Sequence, residues 1–173
     1  IMRKFYLYSI YIFLIFIFAI LYFSLDNKKI YNTEDMLGSR IVEIELNILG
    51  NDDIFNTKEI SNYEYTLLNF WASWCGPCRK EHKNLMKLSK NKNLKIIGIN
   101  FKDDKINAEN FLKKMGNPFF ISTVDPKGIK SVNFGIYGIP ETILLNQELE
   151  ILKKYVGPID LKDVNEIRKI INE

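Results

Sequence analysis

The sequence predicts an α/β protein, a three-layer sandwich around a central mixed sheet, with one transmembrane helix in front of it. Three observations predict this class. Segments with the pattern of strands alternate with segments with the pattern of helices beyond residue 40. One predicted strand is apolar throughout, which is typical of a strand buried on both faces of a sheet. A long uncharged run precedes all of these segments.

The uncharged run covers residues 5–25 and reads FYLYSIYIFLIFIFAILYFSL. As a helix it would be about 31 Å long, which is enough to cross the hydrocarbon core of a bilayer. A cleaved signal peptide has a shorter apolar core and ends in small residues, so we expect an uncleaved signal anchor over residues 1–25. Basic residues flank the run on both sides, and their count does not decide its orientation. We expect the short tail inside and the folded domain outside.

Residues 26–40 are polar and are expected to form a tether, and the folded domain is expected over residues 41–173. Residues 41–46 alternate between apolar and polar, which predicts a half-buried strand, and the turn residues after them favour a hairpin. Residues 65–72, YTLLNFWA, predict the central strand. A helix is expected directly after it.

The second half of the domain continues the alternation of strands and helices. The predicted elements are a strand over 94–101, a helix over 106–116, an extended segment over 118–123, a short helix over 128–135, and paired strands over 141–146 and 149–157. Asp160 is the expected N-cap of a closing helix. Its buried stripe is expected to comprise Val164, Ile167, Ile170 and Ile171.

Cys75 and Cys78 are the only cysteines of the chain. A strand that runs into Cys-Gly-Pro-Cys and then a helix places Cys75 at the helix N-terminus, where free amides and the dipole favour a thiolate. Cys78 lies one turn inside, shielded from solvent, and can close a small ring with Cys75. The pattern predicts that Cys75 attacks a foreign disulfide and that Cys78 resolves the mixed disulfide.

A metal site, a haem attachment site and a structural disulfide are weaker interpretations of the two cysteines. A structural zinc needs four ligands, and the chain offers two cysteines and one histidine, His82. Covalent haem attachment needs a histidine after the second cysteine, where Arg79 stands. A structural disulfide across two residues would close a tiny loop and stabilise little. A pair of unreactive core cysteines stays open as an alternative. We expect no metal and no cofactor.

The charge balance does not indicate a nucleic-acid partner. The 173 residues carry 24 basic and 21 acidic side chains, a net charge of +3. Two of the basic residues, Arg3 and Lys4, precede the uncharged run. The folded domain therefore lacks the basic excess of a nucleic-acid-binding domain, and its lysines are better interpreted as a solvated helix face.

The segment LLNFWASWCGPCRKEH resembles the thioredoxin superfamily. Together with GINFKDD, GNPF and VDPKGIKSVNFGIYGIPETILLN, it is similar to the membrane-anchored thiol:disulfide interchange proteins of cytochrome c maturation, the DsbE or CcmG family. The likeness covers about residues 37–172 and extends to the N-terminal run. It implies that the predicted sandwich is thioredoxin-like.

The resemblance also implies an activity and partners. Members of this family are reductants that receive electrons from a membrane carrier of the DsbD or CcdA type. They keep the haem-binding cysteines of apocytochrome c reduced, directly or through a CcmH-type thiol protein. The implied location is the inner membrane, crossed once by residues 5–25, with the catalytic domain in the periplasm. Two alternatives stay open, a general extracytoplasmic thiol-disulfide oxidoreductase or oxidase, and a copper(I) chaperone that uses the thiols and His82.

By position, the resemblance assigns roles to individual residues. Cys75 and Cys78 form the redox-active disulfide, with Cys75 as the nucleophile. Pro140 is the cis-proline that faces the pair. Glu81 and Glu141 match the acids of the family's active site. Such acids are expected to raise the pKa of the thiols and to keep the redox potential on the reducing side.

Three further features complete the predicted site. Asn69 replaces the buried acid of thioredoxins, which leaves Glu81 or Glu141 as the nearest proton acceptor for Cys78. Trp74 is expected at the exposed rim. The loop that contains Tyr137 and Ile139 is expected to present a backbone edge with which a substrate chain pairs. The predicted substrate-binding residues are Trp74, Tyr137, Ile139 and Pro140.

Overall fold

The structure is a computed structural model, and it describes residues 2–26, Thr33 and residues 36–172. By residue contacts the chain divides into two units, Ile1–Asn32 and Thr33–Glu173. Most of the predicted tether, residues 26–40, lies outside the described residues. Each unit is presented on its own.

The first unit contains one helix, α1, over Met2–Asp26. No glycine or proline interrupts this segment, and its leucine and alanine residues are good helix formers. Most of its described side chains are exposed. Among the described residues, however, no helix combines the length and the apolar character needed to cross a membrane. The membrane span predicted over residues 5–25 is therefore not found.

The second unit alternates strands and helices in the predicted order. Its elements are β1 Glu45–Ile48, β2 Ile54–Asn56, a 3-10 helix Thr57–Asn62, β3 Tyr65–Trp71, α2 Gly76–Leu88, β4 Leu94–Phe101, α3 Lys105–Met115, β5 Ile121–Asp125, α4 Ile129–Val132, β6 Glu141–Asn146, β7 Ile151–Val156 and α5 Leu161–Asn172.

The strands form one sheet in the order β2-β1-β5-β4-β3-β6-β7. The pairs β3 with β4 and β4 with β5 are parallel, and the other pairs are antiparallel. The predicted mixed sheet is confirmed. The predicted central strand, β3, pairs with β4 on one side and β6 on the other.

Alternate residues of β3 enter the two core clusters that cover the sheet. Leu67 and Trp71 belong to the cluster that also contains both cysteines and side chains of α2, α3 and α5. Leu68 and Phe70 belong to the cluster on the other face. Because side chains of a strand alternate between faces, Asn69 lies on the same face as Trp71 and the cysteines.

The helices α3 and α5 begin and end within one residue of the predicted positions. The side chain of Asp104 accepts a hydrogen bond from the Asn107 amide at the start of α3, and Gly116, with φ 87°, ends that helix. Asp160 and Asp163 cap the start of α5 reciprocally, each side chain accepting from the other's amide. Caps of this kind supply partners for amides that a helix terminus leaves free.

Several segments differ from the prediction. The extended segment expected over residues 118–123 is the strand β5, Ile121–Asp125, and the helix expected over 128–135 covers only Ile129–Val132. The strand expected over residues 41–46 begins only at Glu45, because the amide of Ile41 donates to Leu149 and that of Ile44 donates to the hydroxyl of Thr57. The 3-10 helix after β2 was not predicted. Asn56 and Glu59 form a capping box at its start.

The last residues of the predicted tether belong to the folded unit. The amide of Gly38 donates to the carbonyl of Ile151, and the amide of Ile151 donates to that of Ser39. Arg40 forms a β-bridge with Glu150. These bonds join residues 38–40 to β7 and the turn before it.

Candidate active site

A disulfide between Cys75 and Cys78 lies at the start of α2. Cys75 is the N-cap, and its sulfur accepts a hydrogen bond of 3.2 Å from the amide of Cys78. Pro77 lies in the first turn, where its missing N–H has no helical partner to lose. The predicted place of Cys75 at the helix N-terminus is confirmed.

Solvent exposure does not distinguish the two cysteines in this disulfide form. Each is 3% exposed. The prediction that only Cys78 is shielded therefore does not describe the oxidised protein. The difference between the sulfurs lies instead in their place along α2, because the helix dipole and free amides act most strongly at the cap.

Of the predicted substrate-binding residues, Trp74, which directly precedes Cys75, and Tyr137 are exposed. Trp74 is 59% exposed, and its indole N–H donates to the carbonyl of Lys102 over 3.0 Å. Tyr137 is 78% exposed. Ile139 is partly buried and packs against the core cluster that contains both cysteines. The peptide bond between Ile139 and Pro140 is cis, as the resemblance implied.

Glu141 is the first residue of β6 and is buried. One of its oxygens accepts hydrogen bonds from the amides of Tyr137, at 3.1 Å, and Gly138, at 3.0 Å. The other lies 2.9 Å from the ammonium group of Lys154, and both side chains of this ion pair are inaccessible to solvent or nearly so. Lys154 also donates to the carbonyl of Gly135. Glu141 therefore fastens the loop that leads to Pro140.

This ion pair corrects the predicted electrostatics. The resemblance predicts that both acids, Glu81 and Glu141, act as negative charges near the thiols. The charge of Glu141 is balanced by Lys154, so the argument from like charges applies to Glu81 alone.

Glu81 lies on α2, one turn beyond Cys78, and is 1% exposed. One of its oxygens accepts from the side-chain amide of Asn69 over 2.9 Å, and the other accepts from the backbone amide of Ile159 over 2.8 Å. Burial raises the pKa of Glu81 to about 7, although these two hydrogen bonds act in the opposite direction. The carboxyl group can therefore gain or lose a proton near neutral pH.

Glu81 and Cys78 line one narrow internal gap. The gap is too small for a water molecule, and its walls are Asn69, Trp71, Cys78, Glu81, His82, Leu85, Phe111 and Phe119. The amide nitrogen of Asn69 also donates to the hydroxyl of Thr142, whereas the amide oxygen of Asn69 is buried without a hydrogen-bond partner. Of the two predicted acids, Glu81 is the one on the gap.

His82 is a packing residue. Its Nε2 lies 3.0 Å from the carbonyl oxygen of Gly116, and its ring stands edge-on to Phe111 at 5.1 Å. Burial lowers the pKa of His82, which favours the neutral ring. Within the described residues, no group of three or more histidine, cysteine, aspartate or glutamate residues could hold a metal ion.

Sequence reasoning did not identify Lys154, Thr142 or Ile159 as neighbours of the predicted acids. One signal was present for the lysine. Lys153 and Lys154 are adjacent in a predicted strand, so one of them has to face the sheet interior. A buried lysine needs a carboxylate partner.

Comparison with known proteins identifies the family. A family model, Redoxin, matches residues 38–171. HelX of Rhodobacter capsulatus, a thiol:disulfide interchange protein, is 36% identical over 124 residues, which cover 72% of this chain and 70% of that protein. The chain belongs to the DsbE-type redoxins.

A further relative is similar in sequence, and a solved structure is similar in fold. CycY of Rhizobium leguminosarum, another thiol:disulfide interchange protein, is 46% identical over 101 residues, covering 57% of this chain and 54% of that protein. A DsbF homologue from Corynebacterium diphtheriae has a similar fold, with a TM-score of 0.68 at 23% identity over 81% of this chain and 90% of that one. The chain matches only 58% of the length of the DsbE of Allochromatium vinosum and 54% of the length of CycY.

Proposed function

We propose that this chain is a thiol-disulfide reductant of cytochrome c maturation. The observation that carries the proposal is the arrangement of the disulfide at the start of α2, with the buried carboxyl group of Glu81 on the same gap as Cys78. Membership of the DsbE-type redoxins supports the same chemistry. The substrates are the haem-binding cysteines of apocytochrome c or a CcmH-type thiol protein, and the place is an extracytoplasmic compartment.

In the first step, the thiolate of Cys75 attacks a disulfide of the substrate. A bond forms between the Cys75 sulfur and one substrate sulfur, the substrate disulfide breaks, and the second substrate sulfur leaves as a thiolate. The cap position favours the Cys75 thiolate because the free amides and dipole of α2 stabilise negative charge there. This step leaves a mixed disulfide and a Cys78 thiol.

In the second step, Cys78 becomes a thiolate and attacks the Cys75 sulfur. The Cys75–Cys78 disulfide forms, the mixed disulfide breaks, and the substrate sulfur that was bonded to Cys75 leaves as a thiolate and takes up a proton from water. The proton of the Cys78 thiol passes to the carboxylate of Glu81. Its pKa of about 7 lies close enough to that of a thiol to make the transfer efficient at neutral pH.

Exposed aromatic side chains beside Cys75 and in the loop before Pro140 suit a polypeptide substrate. Trp74 and Tyr137 present aromatic surface, and the loop before Pro140 presents backbone groups with which an extended chain can pair. Glu141 and Lys154 hold that loop from inside. A membrane electron carrier of the DsbD or CcdA type would then reduce the Cys75–Cys78 disulfide and complete the cycle.

The experiment that tests the pathway compares two disulfide peptides. One carries an oxidised Cys-x-x-Cys-His segment of an apocytochrome c, and the other has the same composition with the histidine moved away. The reduced chain should reduce the first peptide faster, and Cys78→Ala should trap a mixed disulfide with it, whereas Cys75→Ala should trap none. Equal rates for both peptides would favour a general oxidoreductase. Trapping by Cys75→Ala alone would contradict the assigned roles.

A further inference from the structure

The loops after β3 and β4 emerge side by side next to the disulfide. These strands are parallel neighbours, and Trp71 at the end of β3 pairs with Asn100 near the end of β4. The first loop carries Ser73 and Trp74 to Cys75, and the second contains Lys102 and Asp103. Since the indole of Trp74 donates to the carbonyl of Lys102, the two loops share one contact at the rim of the site.

The carboxylate of Asp103 makes two further hydrogen bonds between these loops, both to Ser73, and two more within its own segment. One oxygen of Asp103 accepts hydrogen bonds from the amide of Ser73, at 2.5 Å, and from the side chain of Asn100, at 2.9 Å. The other accepts from the hydroxyl of Ser73, at 2.8 Å, and from the amide of Asp104, at 2.9 Å. Hydrogen bonds to an ionised carboxylate are shorter and stronger than those between neutral groups.

Ser73 is thereby fixed through each of its polar groups. Its amide and hydroxyl are bonded to Asp103, and its carbonyl oxygen accepts from the guanidinium of Arg79 over 2.6 Å. Arg79 directly follows Cys78 and lies over the ring of Phe111, 4.8 Å from its centroid. Two side chains of opposite charge therefore hold the residue that lies two positions before Cys75.

We propose that Asp103 is a positioning residue for the reaction of this protein with polypeptide disulfides. Its carboxylate fixes Ser73, and through Ser73 it fixes the exposed indole of Trp74 where an incoming chain rests beside the disulfide. The proposal rests on the proposed thiol-disulfide exchange and is independent of the cytochrome c pathway.

The proposal predicts a selective effect. A small thiol reaches the disulfide without resting on Trp74, whereas a polypeptide has to be seated on the rim before its sulfur is in line. Loss of the Asp103 contacts should therefore weaken reaction with a polypeptide and leave reaction with a small thiol nearly unchanged.

The test uses the 173-residue chain with insulin as the polypeptide disulfide and dithiothreitol as the small thiol. Asp103→Asn keeps the size of the side chain but replaces one accepting oxygen by a donor. We expect kcat/KM for insulin reduction to fall about tenfold, mainly through KM, as for the loss of one hydrogen bond to a charged group. The rate of reduction of the Cys75–Cys78 disulfide by dithiothreitol should stay within about twofold.

Asp104→Asn is the matched control. It makes the same change of charge in the same loop, and asparagine is as good an N-cap for α3 as aspartate. Both rates should be unchanged. Iodide quenching of tryptophan fluorescence gives a direct readout, because Trp71 is buried and Trp74 is exposed. Quenching should rise in Asp103→Asn and not in Asp104→Asn.

Three results would overturn the proposal. They are an equal fall of the insulin and dithiothreitol rates in Asp103→Asn, no fall in either, and the same fall in Asp104→Asn. If Asp103→Asn does not fold, Ser73→Ala removes only the hydroxyl contact and should show the same selectivity with a smaller fall. A wild-type chain inactive toward both reagents would instead refute the proposed function.

Discussion

Glu81 of α2 and Asn69 of β3 are joined by a hydrogen bond of 2.9 Å inside the core, on the gap that Cys78 lines. The resemblance to thioredoxins implies a buried acid at this position, where this chain has Asn69. A carboxylate in place of Asn69 would repel the carboxylate of Glu81. The side-chain amide of Asn69 instead donates a hydrogen bond to Glu81, so that Glu81 is the ionisable member of this pair. The neighbouring amide of Ile159 holds the other oxygen, so the carboxyl group has a fixed orientation.

The first prediction concerns proton transfer. The rate of the resolving step should rise with pH through about 7, where Glu81 loses its proton and becomes able to accept one from Cys78. In Glu81→Gln that limb should disappear, and the rate should rise only at higher pH, where the Cys78 thiol itself ionises. Rapid mixing of the reduced chain with a disulfide peptide from pH 5 to 9 measures both profiles. An unchanged limb near pH 7 in Glu81→Gln would show that another group accepts the proton.

The second prediction concerns stability, measured on the oxidised protein, in which the thiols do not titrate. The pKa of Glu81 is about 7 when folded and about 4.3 when unfolded, so between these values only the folded state keeps the proton. The free energy of unfolding should therefore fall by on the order of 3 kcal/mol as pH rises across this interval. Above the interval it should level off.

Glu81→Gln isolates this contribution. Burial lowers the pKa of His82, and that group makes stability rise with pH toward about 6.5, so the wild-type profile combines both effects. The contribution of His82 cancels when the free energy of unfolding of Glu81→Gln is subtracted from that of the wild type. Urea unfolding at pH 5, 6, 7 and 8 gives the difference, and a value independent of pH would contradict a raised pKa for Glu81.

The third prediction concerns the buried ion pair of Glu141 and Lys154. Lys154→Met leaves the buried carboxylate without its cation and should cost about 3–5 kcal/mol. Lys153→Met is the matched control, since the pair of Lys153 with Glu166 is partly exposed and should cost only about 0–1 kcal/mol. The double variant Glu141→Gln with Lys154→Met should recover much of the loss. Urea unfolding at pH 7 measures all three, and equal costs for the two lysines would refute the distinction.

Much of the framework was predictable from the sequence because it follows from local patterns. The apolar run of β3, the Cys-Gly-Pro-Cys start of α2 and the Asp160 cap are set by neighbouring residues. The partners of the acids were not predictable in the same way. The pairing of β6 with β7 contains a register irregularity, which precedes Lys154 along β7 and determines which sheet face Lys154 lies on. Such an irregularity depends on how the two strands pair. The bond from Ile159 to Glu81 joins residues 78 positions apart.

The last prediction concerns the redox potential and separates the two acids. An ionised carboxylate near the thiols disfavours their thiolate forms, which destabilises the reduced protein and makes the pair more reducing. Glu81 lines the same gap as Cys78, and in the described structure its hydrogen-bond partners include no cation. The negative charge of Glu141, in contrast, is compensated by Lys154. Glu81→Gln should therefore raise the potential, by about 20 mV at pH 8 for an effect of about 1 kcal/mol.

Glu141→Gln should change the potential less, because it removes a charge that Lys154 already balances and its main effect falls on the loop before Pro140. Equilibration of the chain with glutathione buffers measures the potentials, and repetition at pH 6 supplies the internal control. Glu81 is mostly protonated at pH 6, so the effect of Glu81→Gln should shrink there, whereas any effect of Glu141→Gln should persist. A larger shift from Glu141→Gln at pH 8, or a shift from Glu81→Gln that is the same at both pH values, would mean that Glu81 is not the acid that sets the potential.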